Sequence, residues 1–244
     1  MTEAASAGSP APTVVLVHGA FADSSGWNDV VSQLLDAGVA VQAVSNPLRG
    51  ITADAAYVAS AIAQVPGPVI AVGHSYGGAI ITNAALTAGN VVGLVYVAAF
   101  APGEGEVLSD IEGGSKDSVL NTVLVPLQYP SGQGTETEFA IDPAHFHEAF
   151  AADLPERQAA VMAATQRPVA GAAFGEPNGT PAWRTLPSWA VVATGDKAAG
   201  SDVVRSMAER ARATIVEIEG SHVIMISQPR AVTDLILQAI DAVR

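Results

Sequence analysis

The stretch Val69-Ile70-Ala71-Val72-Gly73-His74-Ser75-Tyr76-Gly77-Gly78 constrains the fold of this chain more than any other. A β-branched apolar run stops at Gly-x-Ser-x-Gly and passes at once into the helical pattern of residues 79–86. So abrupt a passage from strand to helix is the outline of a nucleophile elbow, a turn tight enough to lift a serine Oγ clear of a sheet. Glycines two positions before and after the serine let neighbouring backbone approach without a Cβ in the way. Ser75 is therefore the candidate nucleophile. The helix opening behind it supplies unpaired N–H groups and the positive end of a dipole, both suited to a developing oxyanion. The plain alternative is a strand–turn–helix whose serine is only a cap.

The rest of the chain repeats the strand–helix rhythm. Thr13 to Val17 is a short apolar run ended by His18-Gly19, the pattern of a parallel strand buried on both faces. A loop from Ala20 to Gly26 follows, then a helical stripe of Trp27, Val30, Val31, Leu34 and Leu35 that stops at Gly38. Strands are expected at residues 39–44, 69–74, 91–98, 189–194 and 214–217, and helices near 53–64, 79–86 and 203–212. Val232, Leu235, Ile236, Ala239, Ile240 and Val243 form a last helical stripe. Strands alternating with helices predict an α/β protein with a doubly wound, mostly parallel sheet.

The rhythm fails between Pro102 and Pro187, where glycine and proline punctuation is concentrated. A structureless loop of that length does not suit a compact domain, so an inserted lid is expected. It carries a helix near 155–165 and apolar residues including Leu120, Leu127, Phe139, Phe146 and Phe150, which pack the lid, touch a substrate or bury a homodimer contact. The organisation expected is a disordered tail over 1–12, a catalytic core over 13–102 and 187–244, and a lid over 103–186.

Composition narrows the partners. Acidic residues outnumber basic ones 24 to 11, and no Lys/Arg cluster offsets this, which argues against nucleic acid and anionic membrane. The absence of cysteine excludes disulfides, thiolate metal sites and a cysteine nucleophile. Residues 1–12 lack the basic and apolar regions of a signal peptide, and no window has the length of a membrane span, so a cytoplasmic location is expected.

A serine hydroxyl needs a base in reach and an acid to orient that base. His222, in a Gly-Ser-His loop just past the last strand, is the best-placed base, at the edge where C-terminal strand ends converge. Asp196, two residues past Thr194 at the end of its strand, is the first choice of acid; Glu104 is the runner-up and Asp202 reads as a helix cap. The order Ser75, Asp196, His222 is the one expected of this elbow. Ala20 and Tyr76 are the expected oxyanion donors, with Gly19 relieving crowding beside them. His18 and His74 sit in tight turns and read as packed beneath the site. His145 and His147 with Glu148 lack a clear third ligand, so no metal is expected. The Gly-x-Gly-x-x-Gly spacing of dinucleotide-binding proteins is missing at Gly73–Gly78.

Leu16-Val17-His18-Gly19-Ala20, Gly73-His74-Ser75-Tyr76-Gly77-Gly78, Ala98-Ala99-Phe100, Ala193-Thr194-Gly195-Asp196-Lys197 and Gly220-Ser221-His222 together resemble the α/β-hydrolase superfamily. Within it they are similar to the plant methylesterase and hydroxynitrile lyase group and its bacterial esterase relatives. The resemblance implies an α/β-hydrolase fold with Ser75 as nucleophile, Asp196 as the orienting acid, His222 as base and Ala20 and Tyr76 as oxyanion donors. It implies no cofactor and a small-molecule ester substrate. Lyases of the group carry threonine where Gly19 stands and lysine where Val223 stands, so these two residues point to a carboxylesterase-like serine hydrolase. A lyase or perhydrolase using the same triad, and a receptor-like binding module without turnover, are the other readings.

Overall fold

The computed structural model describes residues 11–132 and 134–244. The expected tail over 1–12 therefore lies, as far as residue 10, outside the described residues. Among those described, one sheet holds β1 (Thr13–Val17), β2 (Val41–Val44), β3 (Val69–His74), β4 (Val91–Val97), β8 (Ser188–Ala193) and β9 (Thr214–Ile218), in the order β2-β1-β3-β4-β8-β9. Every pairing in it is parallel. The inner strands β1, β3, β4 and β8 are buried on both faces along almost their whole length, which is why each reads as a largely apolar run rich in Val, Ile, Leu and Ala. The edge strands β2 and β9 expose part of their length and carry Gln42 and Glu217 there.

Helices cover both faces. On one side α1 (Asn28–Asp36) packs against α10 (Pro229–Ala242); on the other α2 (Ile51–Ala63) packs against α3 (Tyr76–Ala88). Both α3 and α10 lie on β3 and β4. Of the stripe expected in α1, Val30 and Leu34 are buried but Leu35 is exposed, because a helix on a sheet hides only one stripe of its circumference. Among the described residues no helix is long and apolar enough to cross a membrane.

The segment between β4 and β8 is more regular than its sequence pattern suggests. After α4 (Leu108–Gly113) comes an antiparallel hairpin of β5 (Leu124–Ser131) and β6 (Gly134–Ile141), extended by the short β7 (Val169–Ala170) into a second sheet. Between β6 and β7 lie α5 (Phe146–Phe150) and α6 (Glu156–Thr165), and α7 (Gly171–Gly175) follows. The hairpin has no clean apolar–polar alternation because most of it faces solvent, and β5 holds Pro126 and Pro130, which an edge strand tolerates. Arg49 anchors it to the core, bonding Glu138 at 2.6 Å and lying over the Tyr129 ring.

Asp202 does not cap its helix. It sits inside the first turn of α8 (Ser201–Arg210), whose N-cap is Gly200, and its carboxylate accepts from Ser115 Oγ and the Lys116 N–H. The cap role falls to Asp117 of the β4–β8 segment, which accepts from Ser201 Oγ and the Asp202 N–H. A capping residue need only bring an oxygen to the first free N–H groups, whatever its place in the chain.

Backbone contact at the end of β1 is closest at Gly77, where an added Cβ would press on the carbonyls of Val17 and His18. Gly77→Ala is expected to cost about 1–3 kcal/mol of stability, the usual penalty of overpacking, measurable as a lower urea midpoint.

Candidate active site

The parallel sheet delivers the loops after β1, β2, β3, β8 and β9 to one edge, and every residue expected in the site except Glu104 arrives there. Ser75 follows β3 with φ 53° and ψ −125°, a left-handed backbone that a residue with a Cβ rarely adopts. Such a conformation costs about 1–3 kcal/mol and persists only where surroundings enforce it. Here they do. The Ser75 carbonyl accepts from the N–H groups of Gly78 at 2.9 Å and Phe100 at 3.2 Å, while its N–H donates to Val97 O. A Cβ on Gly73 would meet Gly77 O at 2.5 Å, one on Gly77 would press on Val17 O, and one on Gly78 would meet Phe100 O at 2.5 Å. The glycines two residues either side of Ser75 are thus required by close backbone, as the motif implies.

Asp196 and His222 meet at the ends of β8 and β9, held together by the Gly195 N–H bonding Gly220 O at 2.9 Å. His222 Nδ1 donates to Asp196 Oδ2 at 2.8 Å, with both residues 1% exposed. Asp196 Oδ1 accepts the N–H groups of Ala198 and Ala199 at 2.9 and 3.0 Å, so the carboxylate is oriented from both sides. With Nδ1–H committed to the carboxylate, Nε2 carries the lone pair, the tautomer a base requires. His74 Nε2 donates to the His222 carbonyl at 2.9 Å, and their rings lie 4.7 Å apart. His74 is fully buried, which with the neighbouring His222 holds its ring neutral, its pKa well below the ordinary imidazole value. Ser75 Oγ makes no hydrogen bond among the described residues.

Gly19 brings the loop after β1 against the elbow. A Cβ there would lie 2.6 Å from Ser75 Cβ and 2.9 Å from His74 O. The N–H groups of Ala20 and Tyr76, on either side of this contact, have no acceptor among the described residues. The Tyr76 ring runs back into the core, where its hydroxyl donates to Asp54 Oδ2 at 2.9 Å. Burial pushes the Asp54 carboxyl up, against the N–H groups of Arg49 and Gly50 that it accepts.

Glu104 lies on the surface, paired with Arg184 at 3.1 Å, so it is Asp196 that meets the histidine. His147 donates to Leu154 O, and no group of three or more His, Asp and Glu among the described residues could hold a metal ion. A cavity of about 320 Å³ lies between the loop after β1 and α6, lined by Phe21, Asp23, Gln158, Met162, Val223 and Met225, and none of Ser75, Asp196 and His222 lines it.

Three contacts have no signal in the sequence. Phe150 of α5 places its ring 4.9 Å from that of His222. Asp153 accepts the Ser221 N–H at 2.9 Å and the Ser221 hydroxyl, gripping the residue before His222. Arg167 places Nη1 3.0 Å from Asn46 O and 3.2 Å from His18 Nε2. All three come from the β4–β8 segment and pair with partners distant in the chain, beyond the reach of local pattern.

This architecture is that of the α/β hydrolases. The model of the alpha/beta hydrolase family matches residues 14–235, and the chain belongs to that family. No curated protein matches the sequence. Among solved structures, a pyrethroid hydrolase from Sphingobium faniae is 21% identical with TM-score 0.77, covering 95% of this chain and 98% of that one. Polyneuridine aldehyde esterase is 20% identical with TM-score 0.78 (94% and 99% covered). Tomato methylketone synthase I, complexed with 2-tridecanone, is 20% identical with TM-score 0.77 (96% and 100%). At these identities the likeness is one of fold.

Burial pushes the His18 pKa down to about 4, helped by the nearby Arg167 cation. The unfolded chain takes up that proton near pH 6.5, so between these values it binds more protons than the folded one. Stability therefore falls as pH drops through this window, by at most about 3 kcal/mol from His18. His74 acts in the same sense and Asp54, with its raised pKa, in the opposite one. The expected result is a smaller loss of urea midpoint between pH 7 and pH 4.5 in His18→Asn than in wild type.

Proposed function

We propose that this α/β hydrolase is a cofactor-free serine esterase acting on small carboxylic esters. The observation that carries the reading is the buried His222–Asp196 pair at 2.8 Å, set at the same sheet edge as a serine in a strained turn. His222 Nε2 takes the Ser75 proton as Oγ attacks the ester carbonyl, and the oxyanion receives the N–H groups of Ala20 and Tyr76. The intermediate collapses, the C–O bond breaks, and His222 returns the proton to the leaving alkoxide. Water, deprotonated by the same histidine, then attacks the acyl-Ser75 ester, and a second collapse breaks the bond to Oγ, with His222 returning the proton to Ser75 as the carboxylic acid leaves. The β4–β8 segment acts as a lid that sets substrate size.

Gly19 supports hydrolysis over cyanohydrin cleavage. The lyases that this chain resembles carry threonine there, and a Cβ at that position would collide with Ser75. The esterase among its structural neighbours agrees with the reading, although methylketone synthase shows that the fold serves other chemistry too.

Ser75→Ala is expected to abolish labelling by a fluorophosphonate probe while leaving the circular dichroism spectrum unchanged; a variant that still labels would overturn the assignment of the nucleophile. Asp196→Asn is expected to lower kcat on p-nitrophenyl esters by about 10⁴-fold, the usual consequence of losing the correct histidine tautomer. Cleavage of cyanohydrins without esterase activity would reverse the choice of reaction.

A further inference from the structure

We infer that His18 is a positioning residue for the oxyanion site: it aims the Ala20 N–H by holding the Gly19–Ala20 peptide, and Asn46 and Arg167 hold His18. The inference rests on the esterase reading for its chemical meaning and on hydrogen bonding for its evidence.

His18 is 1% exposed and takes no part in proton transfer, yet both ring nitrogens are engaged. Nδ1 lies 2.9 Å from Gly19 O, and Nε2 lies 2.9 Å from the Asn46 N and 3.2 Å from Arg167 Nη1. A backbone N–H and a guanidinium can only donate, so Nε2 must be the bare nitrogen. A carbonyl can only accept, so Nδ1 must carry the proton. The surroundings therefore dictate one neutral tautomer. Burial and the Arg167 cation keep the second proton off, and the opposing pull of the Asp23 carboxylate does not outweigh them.

The consequence lies in the peptide that Nδ1–H grips. The Gly19 carbonyl and the Ala20 N–H belong to one peptide unit, and no peptide bond among the described residues is cis. In a trans unit the two groups point in opposite directions. Tying Gly19 O to the His18 ring therefore directs the Ala20 N–H away from that ring. Gly19, lacking a Cβ, lets this unit lie against Ser75. Without the His18 bond, Gly19 would leave the unit free to rotate, since glycine resists few backbone conformations.

Arg167 brings the β4–β8 segment into this arrangement. Arg49, Arg184, Lys197, Arg205, Arg210 and Arg244 pair with carboxylates. Arg167 instead binds two neutral acceptors, one on His18 and one on Asn46, the residue that also donates to His18. Asn46 Nδ2 in turn bonds the His18 carbonyl at 3.2 Å, so ring and backbone of His18 are held by the same neighbour.

The test compares His18→Leu, which removes the donor to Gly19 O, with His18→Asn, whose side-chain amide can replace it. The readouts are the second-order rate of Ser75 labelling by a fluorophosphonate, kcat and KM on p-nitrophenyl acetate, and the ¹⁵N–¹H spectrum of ¹⁵N-histidine-labelled protein. Loss of one oxyanion donor corresponds to about 10²–10³-fold in rate. His18→Leu is expected to slow labelling and kcat about 100-fold with KM within about twofold, and His18→Asn to recover at least tenfold of that. The wild-type spectrum should show the His18 proton on Nδ1, as the signal missing from His18→Asn. Equal rates in wild type and His18→Leu, equal losses in the two variants, or a proton found on Nε2 would each overturn the proposal. The spectrum needs neither turnover nor a folded leucine variant. If wild type neither labels nor hydrolyses esters, the esterase reading fails while the spectrum still decides the tautomer.

Discussion

Everything at the functional edge depends on how closely three pieces of backbone are allowed to approach around Ser75. The turn after β3 is pressed between the end of β1 and the stretch after β4, with Gly73, Gly77, Gly78 and Gly19 at the points of contact. Each glycine removes a collision with backbone or with Ser75 itself, and together they hold the serine at a φ that a side chain resists. Because β1 and β4 both flank β3, sheet order puts the Gly19–Ala20 loop on one side of the serine and the Ala98–Phe100 turn on the other. The strain at one residue is sustained by hydrogen bonds and packing from three strands.

The segment between β4 and β8 is tied to this edge by single side chains. Asp153 grips Ser221 beside His222, Phe150 lies against the His222 ring, and Arg167 reaches His18 and Asn46 behind the loop after β1. Asp117 caps the helix that follows the Asp196 loop. A segment with these attachments cannot shift without disturbing the loops that carry Ser75's partners. Its hairpin, by contrast, stands largely in solvent, joining the core through Ile141 at its base and through Arg49.

How much of this is legible in the chain follows from how local each signal is. The inner strands are readable because burial on both faces demands an unbroken apolar run. The elbow is readable because its glycines answer to contacts within a few residues of the turn as well as beyond it. Asp196 and His222 stand out by lying just past strand ends, where a parallel sheet collects its loops. The hairpin of β5 and β6 is not readable, since neither strand has a buried face to impose alternation and two prolines interrupt the first. Asp202 is misread as a cap because Asp117, far from it in the chain, occupies that role.

By itself the sequence determined the layered sheet, the family, the serine at its turn and the order of the residues around it, for these rest on periodicity and on spacing along the chain. Tertiary structure alone decided that Asp196 rather than Glu104 faces the histidine, that Gly19 abuts Ser75, and that Asp153 and Arg167 attach the β4–β8 segment to the loops beside them. A hydrogen bond between residues more than a hundred positions apart, such as Arg167 to His18 or Asn46, leaves no periodicity in either partner's neighbourhood. It exists only once the sheet has brought both loops to one edge.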